Sequence, residues 1–305
     1  MTTMITLNNN QLKTKRIEAL IFFGYALGAS LLAAHKTYGK QAEEMGGRIA
    51  KVFVEFQRKS FHMIGGCLIC SWYHWGIKWG AMAPAFQPIG EAAAAAAAGG
   101  KSPMDAGICF LGGCLVTWMI EAARLQCPPV QRWYLGKFKG LVREKELTKA
   151  AGTAYFIPGA LAAMMAAPSN YAVLGVLFLS IGDAAASIGT AAGRIPVGSS
   201  SRKVEGSIGC FAVCTMLGRF AGLRGNIAAR TSLLVAIGEV LAEVIGLDDN
   251  FVIPMLTVLG ARLAMNQQLG KLLAVMGGSL GAGVLLGAAV GSSTPKKLEN
   301  REAAK

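Results

Sequence analysis

Residues 181–209 read IGDAAASIGTAAGRIPVGSSSRKVEGSIG. A small-residue apolar helix carries Asp183, empties into a connection of glycine, serine and basic residues, and turns apolar again after Lys203. An ionised carboxylate at an apolar boundary requires compensation from a cation, a metal, water or hydrogen bonds. Which fold contains it depends on the solvent around the helix. Of the 305 residues, 53% are hydrophobic and only 15% are charged, far from the balance of a soluble domain.

Working outward, apolar segments that approach the hydrocarbon thickness recur at 17–35, 60–80, 104–120, 151–167, 171–188, 206–222, 229–246 and 272–290. A shorter one at 252–267 contains Arg262. The pattern predicts an all-α polytopic integral membrane protein with about eight or nine transmembrane helices. The rival, a soluble bundle of buried helices, requires polar faces that many of these segments lack. Residues 1–16 read as a short polar leader, 17–290 as one membrane-embedded domain and 291–305 as a basic polar tail. Lys13, Lys15 and Arg16 precede the first apolar run. That run ends at Lys36 and Lys40 without a convincing cleavage site, so it reads as a retained helix or signal anchor.

The net charge of +13 gathers between the apolar segments, at 36–59, 124–149, 194–203 and in the tail from Lys296. This placement suits a cytoplasmic face against an anionic lipid surface better than nucleic acid. Seven cysteines include a lone CxxC at Cys67 and Cys70 and a helical pair at Cys210 and Cys214. Without a histidine partner set they read as packing residues. Glu91 and the alanine tract after it are low-complexity and receive no catalytic role.

If 36–59 faces the cytoplasm, alternating spans put 121–150, 190–205 and 247–251 on the same side. Three polar stretches then converge. Residues 56–66, FQRKSFHMIGG, place Arg58, Lys59 and His62 at a helix entrance; residues 181–189 carry Asp183; residues 243–254, EVIGLDDNFVIP, carry Asp248, Asp249 and Asn250 after a glycine. Arg58 and Lys59 equally suit headgroup anchors, and Asp248 and Asp249 equally suit helix caps. The two aspartates and Asn250 also supply hard oxygen ligands for magnesium bound to phosphate. In the connection, Gly189, Gly193 and Gly198 permit close backbone approach, the serines at 199–201 donate hydrogen bonds, and Arg202 with Lys203 offers cations to phosphate oxygens. No GxxxxGK[ST] loop or protein-kinase signature set accompanies them. These residues point to a phosphate-binding site in a membrane protein.

At this point the chain resembles a known family. GDAAASIGTAAG (182–193) followed by SRKVEGSIG (201–209), together with RKSFHMIGG (58–66), REKELTKAAGTAYFIPG (143–159) and GLDDNFVIP (246–254), is similar in content and order to the CTP-dependent polyprenol and lipid kinases. That group is related to phosphatidate cytidylyltransferases and includes dolichol, phytol and diacylglycerol kinases. The set covers about residues 55–260, and DAAASIG with DDNFVIP resembles most the diacylglycerol kinase branch. Two departures stand out: the connection lacks the family's fuller arginine-rich and aromatic pattern, and the alanine tract replaces a more ordinary connector.

The resemblance implies transfer of the terminal phosphoryl group of CTP to a membrane lipid hydroxyl, with diacylglycerol favoured over dolichol or phytol. A CDP-lipid-forming reaction is disfavoured because that group's carboxy-terminal signature is missing. It implies Mg2+ or another divalent cation, with metal ligands Asp183, Asp248 and Asp249. Asp183, Arg202, Lys203 and His62 become the catalytic set. Arg58, Lys59, Gly182, Gly189, Glu205, Gly206 and Asn250 become the nucleotide-binding set, with Gly182 and Gly206 also permitting close helix packing. Glu121 and Arg124 border the lipid side or form an interfacial ion pair. The expected location is the endoplasmic reticulum or nuclear envelope membrane with the site facing the cytosol, a plastid or bacterial membrane being the alternative; homo-oligomers are compatible with it. The non-enzymatic reading is an ion-coupled transporter whose acidic groups line a polar route.

Overall fold

A computed structural model describes residues 2–78, 103–138, 142, 146–167, 169–198 and 200–264. Among them the protein is built from helices. In order these are α1 (Thr2–Met45), α2 (Gly47–Lys78), α3 (Pro103–Gln126), α4 (Pro128–Lys137), α5 (Thr153–Ala166), α6 (Ser169–Leu177), a π turn (Phe178–Gly182), α7 (Asp183–Ala192), α8 (Val204–Phe220), α9 (Gly225–Ile245) and α10 (Asp249–Ala264). Each apolar segment expected within the described residues lies on one of these helices, and α4 is an addition. The segment at 272–290, the alanine tract and the tail lie outside the described residues. α1 passes without a break through residue 16, so the expected leader is helical and continuous with the first apolar run.

Two helices, Gln11–Met45 and Asn170–Ala192, are long and apolar enough to cross a membrane, and Thr153–Ala166 is apolar but shorter. The expectation was eight or nine crossings. The physical reason for the difference is visible in the helices themselves. α8 and α10 have 17 and 16 residues, and α9 carries Arg230, Glu239 and Glu243 within its 21 residues.

The run from α6 through the π turn to α7 is the central element. α2, α5, α8 and α10 all pack on parts of it, and α9 packs between α8 and α10. Phe178, Leu179, Ser180, Ile181 and Asp183 are buried. A π turn widens a helix by one residue per hydrogen-bonded ring, a distortion often found beside functional groups; here it immediately precedes Asp183. α2 approaches it through Gly66, where a Cβ would collide with the Ser180 side chain. α1 and α2 form a long hairpin whose tip uses Gly46 (φ 66°) and Gly47 (φ 62°), a left-handed conformation open to glycine at low cost.

α7 and α8 meet backbone to backbone at Gly189 and Gly206. A Cβ on Gly206 would strike the Thr190 hydroxyl and lie 2.5 Å from the Ala186 carbonyl oxygen; one on Gly189 would lie 2.9 Å from the Glu205 carbonyl. Gly206→Ala therefore forces the helices apart and is expected to cost about 1–3 kcal/mol, the usual range for overpacking. An unchanged thermal midpoint in a fixed detergent would contradict this packing role.

Candidate functional site

Asp183, the first residue of α7, is fully buried. Its Oδ2 is ion-paired with Lys59 Nζ of α2, itself only 4% exposed. His62, one turn along α2, places Nε2 3.5 Å from the same oxygen, and Ser187 Oγ donates to Oδ1 at 3.4 Å. The His62 ring meets Phe156 edge-on at 4.8 Å. The convergence of α2 and the 181–189 stretch expected from topology is therefore present in the fold.

The third stretch joins through Asp249. One oxygen each from Asp183, Glu239 and Asp249 lies within 4.8 Å of the others. Arg202 reaches into this group: Nη1 is 2.6 Å from Glu239 Oε1, Nη2 pairs with Asp249 Oδ2, and Nε is 3.5 Å from Glu243 Oε2. Burial works against the guanidinium charge, but Glu239, Asp249 and Asp183 outweigh it and hold the Arg202 pKa above its ordinary value. The three carboxylates face two cations, Lys59 and Arg202. Hard carboxylate oxygens are the donor set that suits Mg2+.

Glu239 and Glu243 were missed in the sequence reading. Their signal was present: two glutamates four residues apart fall on one face in the apolar second half of the helix. Glu243 also accepts hydrogen bonds from Ser200 Oγ at 2.8 Å and from the Ser201 amide at 3.0 Å, fixing the connection before Arg202.

That connection folds into a tight hairpin-like loop. Pro196 and Lys203 form an antiparallel bridge, the Val197 amide donates to the Arg202 carbonyl at 3.1 Å, and Gly198 (φ 55°) makes the turn. Glu205 closes its base, accepting the Arg194 amide at 2.7 Å and the Ile195 amide at 3.3 Å. Arg202 and Lys203, expected to act together on phosphate, both line one cavity, and Arg202 is also paired with carboxylates.

Asp248 stands apart from the three-carboxylate group. It caps α10, its Oδ1 accepting the Asn250 amide at 3.0 Å and Asn250 Nδ2 at 2.7 Å. Burial, and then the adjacent Asp249, push its carboxyl up to about 7. Asn250 faces Gly152, and Gly182 faces the Cys214 thiol. Arg58 pairs with Glu55 at 2.5 Å. Glu121 and Arg124 form a buried two-bond pair (2.9 and 2.6 Å) that also ties the Lys149 carbonyl and the Ala151 amide, a structural clamp at the start of α5.

Two cavities flank the centre. One of about 580 Å3 is polar, and its lining includes Arg58, Thr190, Arg202, Lys203, Glu243 and Asp249. The other, about 370 Å3, is largely apolar and is lined by Phe61, His62, Tyr134, Phe138, Phe156 and Asn250, among others. Arg58 and Asp249 border both. No family model matches the chain, and no curated protein or solved structure matches it either.

Proposed function

We propose that the protein is a membrane lipid kinase that moves the terminal phosphoryl group of CTP to a lipid hydroxyl, diacylglycerol being the favoured acceptor. The observation that carries this reading is the pair of cavities. A polar chamber lined by five cations and four carboxylates and an aromatic chamber meet at Arg58 and Asp249, beside a carboxylate group suited to a divalent cation. A soluble polyanion fits the first and the head of an amphiphile fits the second. The same convergence favours a kinase over a transporter, whose acidic groups would line a continuous route.

The membrane part of the proposal has its own support. Large apolar side chains lie exposed on several helices, among them Phe22 and Phe23 of α1, Val116, Met119 and Ile120 of α3, and Ile237, Leu241 and Val244 of α9. Contiguous apolar surface of this kind needs a nonaqueous neighbour. We read α1, α2, α3, α5, the α6–α7 run, α8, α9 and α10 as spans, with the basic connections and the site on the cytosolic side of an endoplasmic reticulum or nuclear envelope membrane.

Asp183, Glu239 and Asp249 would hold the divalent cation, which supplies charge neutralisation on the donor phosphates. Lys59 and Arg202 pair with these carboxylates and fix their positions. In the transfer, the acceptor oxygen bonds to the terminal phosphorus, the bond from that phosphorus to the bridging oxygen breaks to release CDP, and the hydroxyl proton passes to the His62 imidazole on the wall of the aromatic chamber.

The test uses purified protein, CTP labelled on its terminal phosphate, Mg2+, and separate diacylglycerol, phytol and dolichol acceptors. Label is expected in phosphatidic acid and lost on chelation of Mg2+. Absence of label in all three lipids would reject the kinase reading, and transfer from ATP alone would reject the donor. Release of the protein from membranes by alkaline carbonate would reject the spanning part.

A further inference from the structure

Five cations line the polar cavity, and they are not equivalent. Arg58 is paired with Glu55, and Arg202 is held among three carboxylates. The other three are Arg48, Lys51 and Lys203. Among the described residues none of these three has a carboxylate within 4.0 Å. A cation already spent on a buried carboxylate has little left for a ligand, whereas an unpaired one gains the full attraction of an arriving anion.

The three are arranged on opposite walls. Arg48, Lys51, Glu55 and Arg58 recur at helical spacing and so occupy one face of α2, spanning about 15 Å of axis from Arg48 to Arg58. Lys203 comes from the loop between α7 and α8, beside Ser187 and Thr190 of α7. Arg48 follows directly on the tip of the α1–α2 hairpin, so the packing of α1 on α2 holds this arm in place.

We propose that Arg48 and Lys51 are a polyphosphate-binding arm which, with Lys203, clamps the phosphate chain of the donor along the outer turns of α2. Arg202 then orders the carboxylate group and leaves the chain to the unpaired cations. The assignment rests on the reading that the donor is a nucleoside triphosphate. Arg48 and Lys51 are exposed, so their attraction for the chain is screened by salt. The same chemistry could be offered to a lipid headgroup phosphate, which the experiment separates.

The experiment measures calorimetric binding of inorganic tripolyphosphate with Mg2+ to the full chain in nanodiscs of phosphatidylcholine. Wild type is expected to bind, and Arg48→Ala/Lys51→Ala to weaken binding about tenfold or more, with a shallower salt dependence. Arg48→Lys/Lys51→Arg should restore most of it, and Arg132→Ala on α4 should bind as wild type. Equal binding by the double alanine variant, or no binding by wild type, overturns the arm. Loss of tripolyphosphate binding when phosphatidylserine is added to the disc overturns the donor assignment in favour of headgroup phosphate. If the variant loses tripolyphosphate while wild type transfers no label from CTP to any lipid, the arm stands and the kinase reading falls.

Discussion

Asp183→Asn is expected to lower the proposed CTP-dependent transfer by about 10²–10³-fold, the scale typical of removing one preorganised electrostatic group from a reaction centre. The substitution keeps the shape of the side chain but removes the charge that faces Lys59, His62 and, through the carboxylate group, the proposed cation site. It also strands Lys59, 4% exposed, without its counter-ion. Breaking one half of a buried pair costs roughly 3–5 kcal/mol, so loss of activity alone could reflect unfolding. The double variant Lys59→Met/Asp183→Asn removes both charges and separates the two effects. It should recover most of the thermal stability and none of the transfer. Recovery of activity in the double variant would show that Asp183 serves only the fold.

Arg202→Ala carries the second large effect, and here stability leads. One guanidinium bridges Glu239 of α9 and Asp249 of α10 and approaches Glu243, so its loss leaves carboxylates from two helices facing one another. Arg202 is 11% exposed and Glu239 2% at their side chains, which places the cost near the range for breaking a buried pair, about 3–5 kcal/mol. Arg202→Lys should recover only part of it, because an ammonium cannot present three nitrogens in a planar fork. Thermal unfolding in a fixed detergent reads the effect directly. A midpoint within a degree of wild type would mean that the carboxylates rely on Lys59 or another cation instead.

The helices were legible because each is announced by a run of apolar residues bounded by charge or glycine, and composition alone marks such a run. Asp183 was legible for the complementary reason: a carboxylate inside such a run stands out. Glu239 and Glu243 were passed over because α9 contains several polar residues and its helical face points nowhere until its neighbours are placed. Asp248 and Asp249 illustrate the limit more sharply. They are chemically identical and adjacent, and only the direction in which α10 leaves the preceding turn sends one to the helix cap and the other to Arg202.

The sequence by itself determined that the chain is helical and that its charge lies between apolar segments, and it singled out three distant polar stretches as candidates for phosphate and metal chemistry. These are local properties, set by burial preference and by side-chain type. Only the tertiary structure decided which cations are spent and which are free. Arg202 and Lys203 are neighbours in the opening stretch with the same charge and line the same cavity, yet among the described residues only Arg202 has carboxylates within ion-pair distance. Pairing depends on distances across helices far apart in sequence, and those distances exist only once α2, α7, α9 and α10 have packed.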